Sequence, residues 1–301
     1  CNIVLEPFFW RTQVWPFGGC IQSAPPVAKK NHFLKPFVKL YEQVVYTAPL
    51  PARPTKILQD MTNSPAPLPD TAEIVATMRA AADAARPLTL GHFRTQLAVD
   101  NKLAAGFDPV TAADRDAETA IRAVIGKHFP DHEIIGEEWE AKTTGSPFAW
   151  IVDPIDGTRA FISGVPVWGT LVGLTHNGRA IAGMMEQPYT GETWLAASGQ
   201  ASFTREGASR PIRTSTTTSL AAARLSTTAP ELFSEAHLAG WAAIRDAALV
   251  VRYGLDCYAY CLLASGHLDI VVEAGLKDVD IAPLIPIIEA AGGVVTTWDG
   301  G

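Results

Sequence analysis

Trp150-Ile151-Val152-Asp153-Pro154-Ile155-Asp156-Gly157-Thr158 is the stretch from which the fold of this 301-residue chain can be read outward. The run Phe148 to Val152 is apolar and too short for a helix, so it reads as a buried strand. Pro154 offers no N–H and fixes its own φ, which predicts that regular pairing stops there. Asp153 and Asp156 then lie at a strand end, where side chains and a carbonyl can converge. Such oxygen donors suit a hard divalent cation such as Mg²⁺, whose shell is completed by phosphate and water. Gly157 lets a phosphate approach the main chain, and the N–H groups of Gly157 and Thr158 can open a helix whose positive end favours an anion. The same residues also suit an ordinary β-turn, so the stretch needs partners elsewhere to mean a site.

Composition sets bounds on those partners. With 48% hydrophobic and 18% charged residues the chain can bury a large core, and its length suggests roughly two domains. A net charge of −7 argues against a nucleic-acid surface and accords with an acidic, cation-binding cleft. No run approaches the roughly 20 apolar residues needed to cross a bilayer. Cys1, Cys20, Cys257 and Cys261 have no metal-knuckle spacing, and Cys257 and Cys261 share a helix face as small apolar residues. A reducing, cytoplasmic setting fits this usage.

Residues 1–60 differ from the rest. Seven bases stand there against Glu6, Glu42 and Asp60, a net +4 that leaves −11 for the remainder. The segment has no sustained periodicity, and it reads as a non-family extension rather than a folded domain, with Met61 as the expected natural start. Residues 61–213 are expected to form an α+β subdomain, and 214–301 a C-terminal α/β subdomain that ends early, directly after a strand. A helix capped by Asp70 should bury Ile74, Val75, Met78, Ala81, Ala82 and Ala85 and be interrupted at Pro87. The turn Phe107 to Asp114 feeds a second helix, with Thr111 as N-cap and Ala117, Ile121, Val124 and Ile125 inward. Asp114 in its first turn either complements the helix dipole or serves a site. Glu133 to Glu138 reads as a short strand ending in adjacent acids. Trp168–Thr175, Arg179–Glu186 and Glu192–Ala197 read as antiparallel strands, the first two joined by Asn177-Gly178, a strong hairpin signal. Thr214 to Ser219 is a polar link. Beyond it strands at 223–227, 248–252, 268–273 and 294–298 alternate with helices at 231–243, 256–264 and 281–291, which implies a parallel or mixed sheet. Asp280 falls at the last helix start.

The acidic positions now share one explanation. Phe107 to Asp114, Ile135-Gly136-Glu137-Glu138, Trp150 to Thr158, and Asp280 with Ala290-Ala291-Gly292-Gly293 resemble, in order and spacing, the signatures of the inositol monophosphatase superfamily. The resemblance covers about residues 70 to 301. It implies an α+β fold, a layered αβαβα sandwich of the sugar-phosphatase type, and hydrolysis of a small phosphate monoester with two or three Mg²⁺ per site. It further implies that Glu137, Asp153 and the Ile155 carbonyl hold one metal and Asp153, Asp156 and Asp280 another. Thr158, Asp114 and Glu137 are then catalytic, the first two orienting water, while Gly157 and Thr158 cradle phosphate. Relatives are commonly homodimers, with no nucleic acid and no membrane as partner.

Thr158 to Thr170 and Tyr253 to Tyr260 look more like the histidinol-phosphate phosphatases of this superfamily than its inositol phosphatases. Histidinol phosphate carries an ammonium and an imidazole, so Asp256 and Glu273 are the candidate substrate-binding residues. Either acid could instead be structural, Asp256 as a helix cap and Glu273 as a strand-end acid. Inositol 1-phosphate is the alternative substrate, since Glu273 alone could serve hydroxyls, and broad sugar or nucleotide specificity is another. A second phosphate would need Arg159, Arg252 or Lys277. A non-catalytic, metal-binding regulator is the rival of another class, and it would have no need of the water-orienting pair Asp114 and Thr158.

Overall fold

Strand β5, Phe148–Asp156, is buried along eight of its nine residues because its alternate side chains enter two different cores. In this computed structural model, which describes residues 43–46, 67–96, 100–101 and 109–298, Phe148, Trp150 and Val152 face one layer of helices while Ala149 and Ile151 meet Val279 on the other side. All described residues belong to one compact unit, Lys35–Gly301. Apart from Gln43–Tyr46, the expectations for residues 1–60, Met61 and the Phe107-Asp108 turn lie outside the described residues.

The elements in chain order are β1 (Gln43–Tyr46), α1 (Thr71–Leu90), β2 (Asp100–Asn101), β3 (Pro109–Val110), α2 (Ala112–His128), β4 (Glu133–Gly136), then β5 and α3 (Thr158–Ile162). Next come β6 (Gly169–His176), β7 (Arg179–Gln187), β8 (Glu192–Ala197), β9 (Gln200–Arg205), β10 (Ala208–Pro211) and β11 (Arg224–Thr227). The chain continues through α4 (Glu235–Ala247), β12 (Val250–Tyr253), α5 (Asp256–Ala264), β13 (Ile270–Val272), α6 (Asp278–Ile281), α7 (Ile285–Ala290) and β14 (Val294–Thr297).

Five layers result. Helices α1 and α2 cover one face of a seven-stranded sheet ordered β10-β9-β8-β7-β6-β5-β4, through Ile74, Met78, Ala81, Ile121 and Ile125 against Trp150, Val172 and Met184. Its other face meets α5 and α7, where Leu171, Met185 and Trp194 pack on Tyr260, Cys261, Ile287 and Ile288. Beyond them lies a five-stranded sheet ordered β12-β11-β13-β1-β14, all parallel in its pairings, covered outside by Trp241 and Ile244 of α4. This is an α+β, αβαβα sandwich. Each fully buried aliphatic contributes about 1.5–3 kcal/mol, so these cores supply the main drive to fold.

Several boundaries differ from expectation for local reasons. Helix α1 runs through Pro87 to Leu90, because the Gly91 N–H closes on the Pro87 carbonyl at 3.0 Å and Thr89 is buried. The single helix expected over 281–291 is broken into α6 and α7 around Pro283, which cannot donate. Gly183 of β7 accommodates that break, for a Cβ there would meet the Pro283 carbonyl at 1.8 Å. Strands β9 and β10 follow two hairpins not foreseen, at Ser198-Gly199 and Glu206-Gly207, where all four residues have positive φ. Strand β1 was not foreseen either, and it pairs parallel with β13 and β14. Among the described residues no helix is long and apolar enough to cross a membrane.

Candidate active site

Pro154 does not end β5. The ladder with β6 pairs Asp153 with Leu171 and then Asp156 with Gly169, so three steps on β5 oppose two on β6. A proline is tolerated at such a bulge, and the bulge re-aims the side chains beside it. Its geometry is fixed by local bonds: Ile155 N–H donates to Asp153 Oδ1 at 3.0 Å and the Thr170 hydroxyl to the Pro154 carbonyl at 2.8 Å. The Thr158 hydroxyl donates to the Ile155 carbonyl at 3.1 Å.

Three elements then close on β5. At the start of α5 the Cys257 N–H donates to Asp156 Oδ2 at 3.0 Å. Gly157, at φ +84°, lets this approach happen, since a Cβ on it would lie 2.9 Å from the Asp256 Cβ. Asp280 in α6 accepts the Lys277 N–H on Oδ2 at 2.7 Å. Carboxylate oxygens of Asp153, Asp156 and Asp280 thereby lie within 4.8 Å of one another. Glu137, directly after β4, accepts from Lys277 Nζ at 2.9 Å. All four acids, with Ile155, Gly157, Thr158, Arg159, Asp256 and Glu273, line one cavity of about 340 Å³.

Asp114 stands apart from that lining. It is buried, and its Oδ2 accepts the Thr111 N–H at 2.8 Å and the Thr111 hydroxyl at 2.7 Å, which makes it the N3 partner of a capping box. Its charge still acts on Asp153. Both readings of Asp114 thus have a physical basis, as a cap by its bonds and as part of the acidic cluster by its field.

Glu118 was not foreseen. It is fully buried on α2, accepts the Glu138 N–H on Oε2 at 2.7 Å and Arg122 Nε on Oε1 at 2.7 Å, and so holds the turn that presents Glu137. Gly136 admits it, since a Cβ there would lie 2.0 Å from Glu118 Oε1. An acid three residues before Ile121 on an inward helix face was the available signal. Thr228 was also missed: its N–H and hydroxyl donate to Glu273 Oε1 at 2.6 and 2.9 Å, from 45 positions away, and no spacing announces it.

The electrostatics reflect crowding. Burial, then the charges of Glu137, Asp156 and Asp280, push the Asp153 carboxyl well above the usual range. Burial, then Asp280 and Asp256, do the same to Asp156, against the Cys257 hydrogen bond. Burial lifts Asp256 to about 6 against Arg159, and lifts Glu273 to about 7 against the Thr228 hydrogen bonds. Like charges this close raise one another, and a cation held among them would favour their ionised forms. The donors are hard oxygens from three carboxylates, with a fourth and a main-chain carbonyl beside them, a set that fits Mg²⁺.

Comparison with known proteins agrees with this architecture. Residues 70–301 match the model of the inositol monophosphatase family. The chain is 41% identical over 241 residues to the bifunctional phosphatase IMPL2, chloroplastic, of Arabidopsis thaliana, covering 79% of this chain and 68% of that protein. It is 36% identical over 233 residues to a histidinol-phosphatase of Mycobacterium tuberculosis, covering 73% and 86% respectively. Among solved structures, an inositol monophosphatase from Zymomonas mobilis superposes with a TM-score of 0.66 at 38% identity, over 75% of this chain and 86% of that one. The chain belongs to the inositol monophosphatase family, on its histidinol-phosphatase branch, and is a phosphoric monoester hydrolase.

Proposed function

We propose that this chain is a Mg²⁺-dependent phosphatase of L-histidinol phosphate, releasing L-histidinol and phosphate. The observation that carries this reading is the presence of two further carboxyls, the half-buried Asp256 and the buried Glu273, in the same cavity as the three-aspartate cluster. Burial raises both, Asp256 against Arg159 and Glu273 against the Thr228 hydrogen bonds, so a substrate ammonium would favour their charged forms. The similarity to histidinol-phosphatases supports the same substrate class.

Hydrolysis joins a water oxygen to phosphorus and breaks the bond to the substrate alkoxide, which takes up a proton. Glu137, Asp153, Asp156, Asp280 and the Ile155 carbonyl would hold the Mg²⁺ ions. When bound, these neutralise the phosphate, acidify water and stabilise the leaving oxygen. The chain's own residues set the geometry. Gly157 lets Asp256 pack close against the main chain, and the N–H groups of Gly157 and Thr158 would be the donors to the anion. Since Thr158 donates its proton to the Ile155 carbonyl, its lone pairs are available to accept from a water. Asp114, locked by Thr111, adds fixed negative charge behind Asp153.

Inositol 1-phosphate is a second reading, favoured by the likeness to the Zymomonas mobilis enzyme and by Glu273, which can accept from hydroxyls. Measuring kcat/KM on both esters separates the two. Wild type should prefer L-histidinol phosphate by about tenfold or more, and Asp256→Asn should erase most of that preference, as loss of a charged hydrogen-bond partner costs roughly 1.5–3 kcal/mol. An equal loss on both esters would count against the ammonium reading.

A further inference from the structure

Lys277 contacts two of the site's carboxylates at once. Its main-chain N–H is fixed on Asp280 at 2.7 Å, and its ammonium reaches Glu137 at 2.9 Å, joining the end of β4 to the start of α6 across 140 positions. The lysine side chain is half exposed while that of Glu137 is 13% exposed, so the mobile partner of the pair is the lysine. An ion pair with one exposed end ordinarily adds little stability. Its position gives it another consequence. Glu137 is the neighbouring charge that acts most strongly on Asp153, and the ammonium offsets that charge from within the same cavity. Lysine is a compact charge on a flexible four-carbon stem, able to change partners without moving the backbone. Lys277 also lines the cavity with Gly157 and Thr158, the residues assigned to the phosphate.

We propose that Lys277 is an exchangeable internal cation: it holds Glu137 while the site lacks metal, yields that carboxylate when metal binds, and turns to a phosphate oxygen of the substrate. The inference rests on the metal-dependent reading of the site and deepens it. Its signature is a pair of opposite effects from one residue, since a competitor for Glu137 weakens metal binding while a phosphate ligand strengthens anion binding.

The test uses the full chain with Lys277→Met and Lys277→Arg. Mn²⁺ binding without substrate is followed by the paramagnetic resonance of the free ion, and inhibition by inorganic phosphate is measured at saturating Mg²⁺. Lys277→Met should bind Mn²⁺ roughly five- to tenfold more tightly and be inhibited by phosphate roughly tenfold more weakly, on the order expected for one nearby unit charge. Lys277→Arg, which keeps the charge, should stay within about threefold of wild type in both. Unchanged Mn²⁺ affinity or unchanged phosphate inhibition in Lys277→Met overturns the exchange. A wild-type protein that takes up no Mn²⁺ overturns the metal reading as well, which separates the two failures.

Discussion

Glu118 shows how much of this site depends on a residue that lines none of it. A buried carboxylate with two strong donors is tolerated only because both oxygens are engaged, one by Arg122 and one by the Glu138 N–H. Glu118→Ala leaves that N–H and a guanidinium without their acceptor inside the protein. It should destabilise by about 2–4 kcal/mol in denaturant unfolding and weaken Mg²⁺ activation, because the Glu137 turn is released. Glu118→Gln, which keeps one acceptor, should recover part of both; Mg²⁺ activation unchanged in Glu118→Ala would show that Glu137 is held by other means. At this scale the acids were legible in the sequence, since Asp153, Asp156, Gly157 and Asp280 lie in short motifs with a direct chemical meaning. Glu118 and Thr228 were not, because each gains its role from a partner brought close only by the fold.

Between elements, the junction of β11 and the turn before β13 is the clearest electrostatic clamp. Asp269 accepts from the Arg224 N–H at 2.7 Å and from its guanidinium at 2.9 and 3.0 Å, and it also bonds Ser215 in the polar link. Burial works to raise this carboxyl, but the Arg224 and Ser215 bonds outweigh it and hold it at about 2. A carboxyl lowered on folding stabilises above its unfolded value near 4 and loses that contribution as pH falls through about 2. The stability gap between wild type and Asp269→Asn should therefore be constant above about pH 5 and shrink between about pH 4 and 2, followed by urea unfolding. A gap that does not change with pH would mean the clamp acts by packing alone. Periodicity revealed most elements, including α2 and the β6–β7 hairpin at Asn177-Gly178. It missed the break at Pro283, where the sequence alone does not reveal that Gly183 lies beneath. It also missed the β9 and β10 hairpins, whose turns put Ser198 and Glu206, not the usual Asn or Asp, at positive φ.

The whole molecule is a stack in which two sheets of different kind share a helical layer, and the site forms where β4, β5, α5 and α6 meet. The seven-stranded sheet, antiparallel except between β4 and β5, supplies Asp153 and Asp156, the shared layer supplies Asp280 and Asp256, and the parallel sheet ends at Glu273. The layered class was legible in the switch from hairpins to alternating strands and helices. The strand order, with β1 between β13 and β14, was not, because residues 43–46 carry no pattern that names their neighbours. Gathering carboxylates from separate layers means that no single element holds the site, and together the acids offer the oxygen donors that a divalent cation takes. The most direct test is phosphate release from L-histidinol phosphate as Mg²⁺ is titrated into metal-free wild type and Asp153→Asn. Wild type should go from no detectable release to full turnover with saturation. Asp153→Asn, missing the most enclosed of the three clustered carboxylates, should lose at least about 10³-fold in kcat and need more Mg²⁺. Turnover in wild type without divalent cation, or near-normal turnover in Asp153→Asn, would contradict the assignment of the three-aspartate cluster as the catalytic centre.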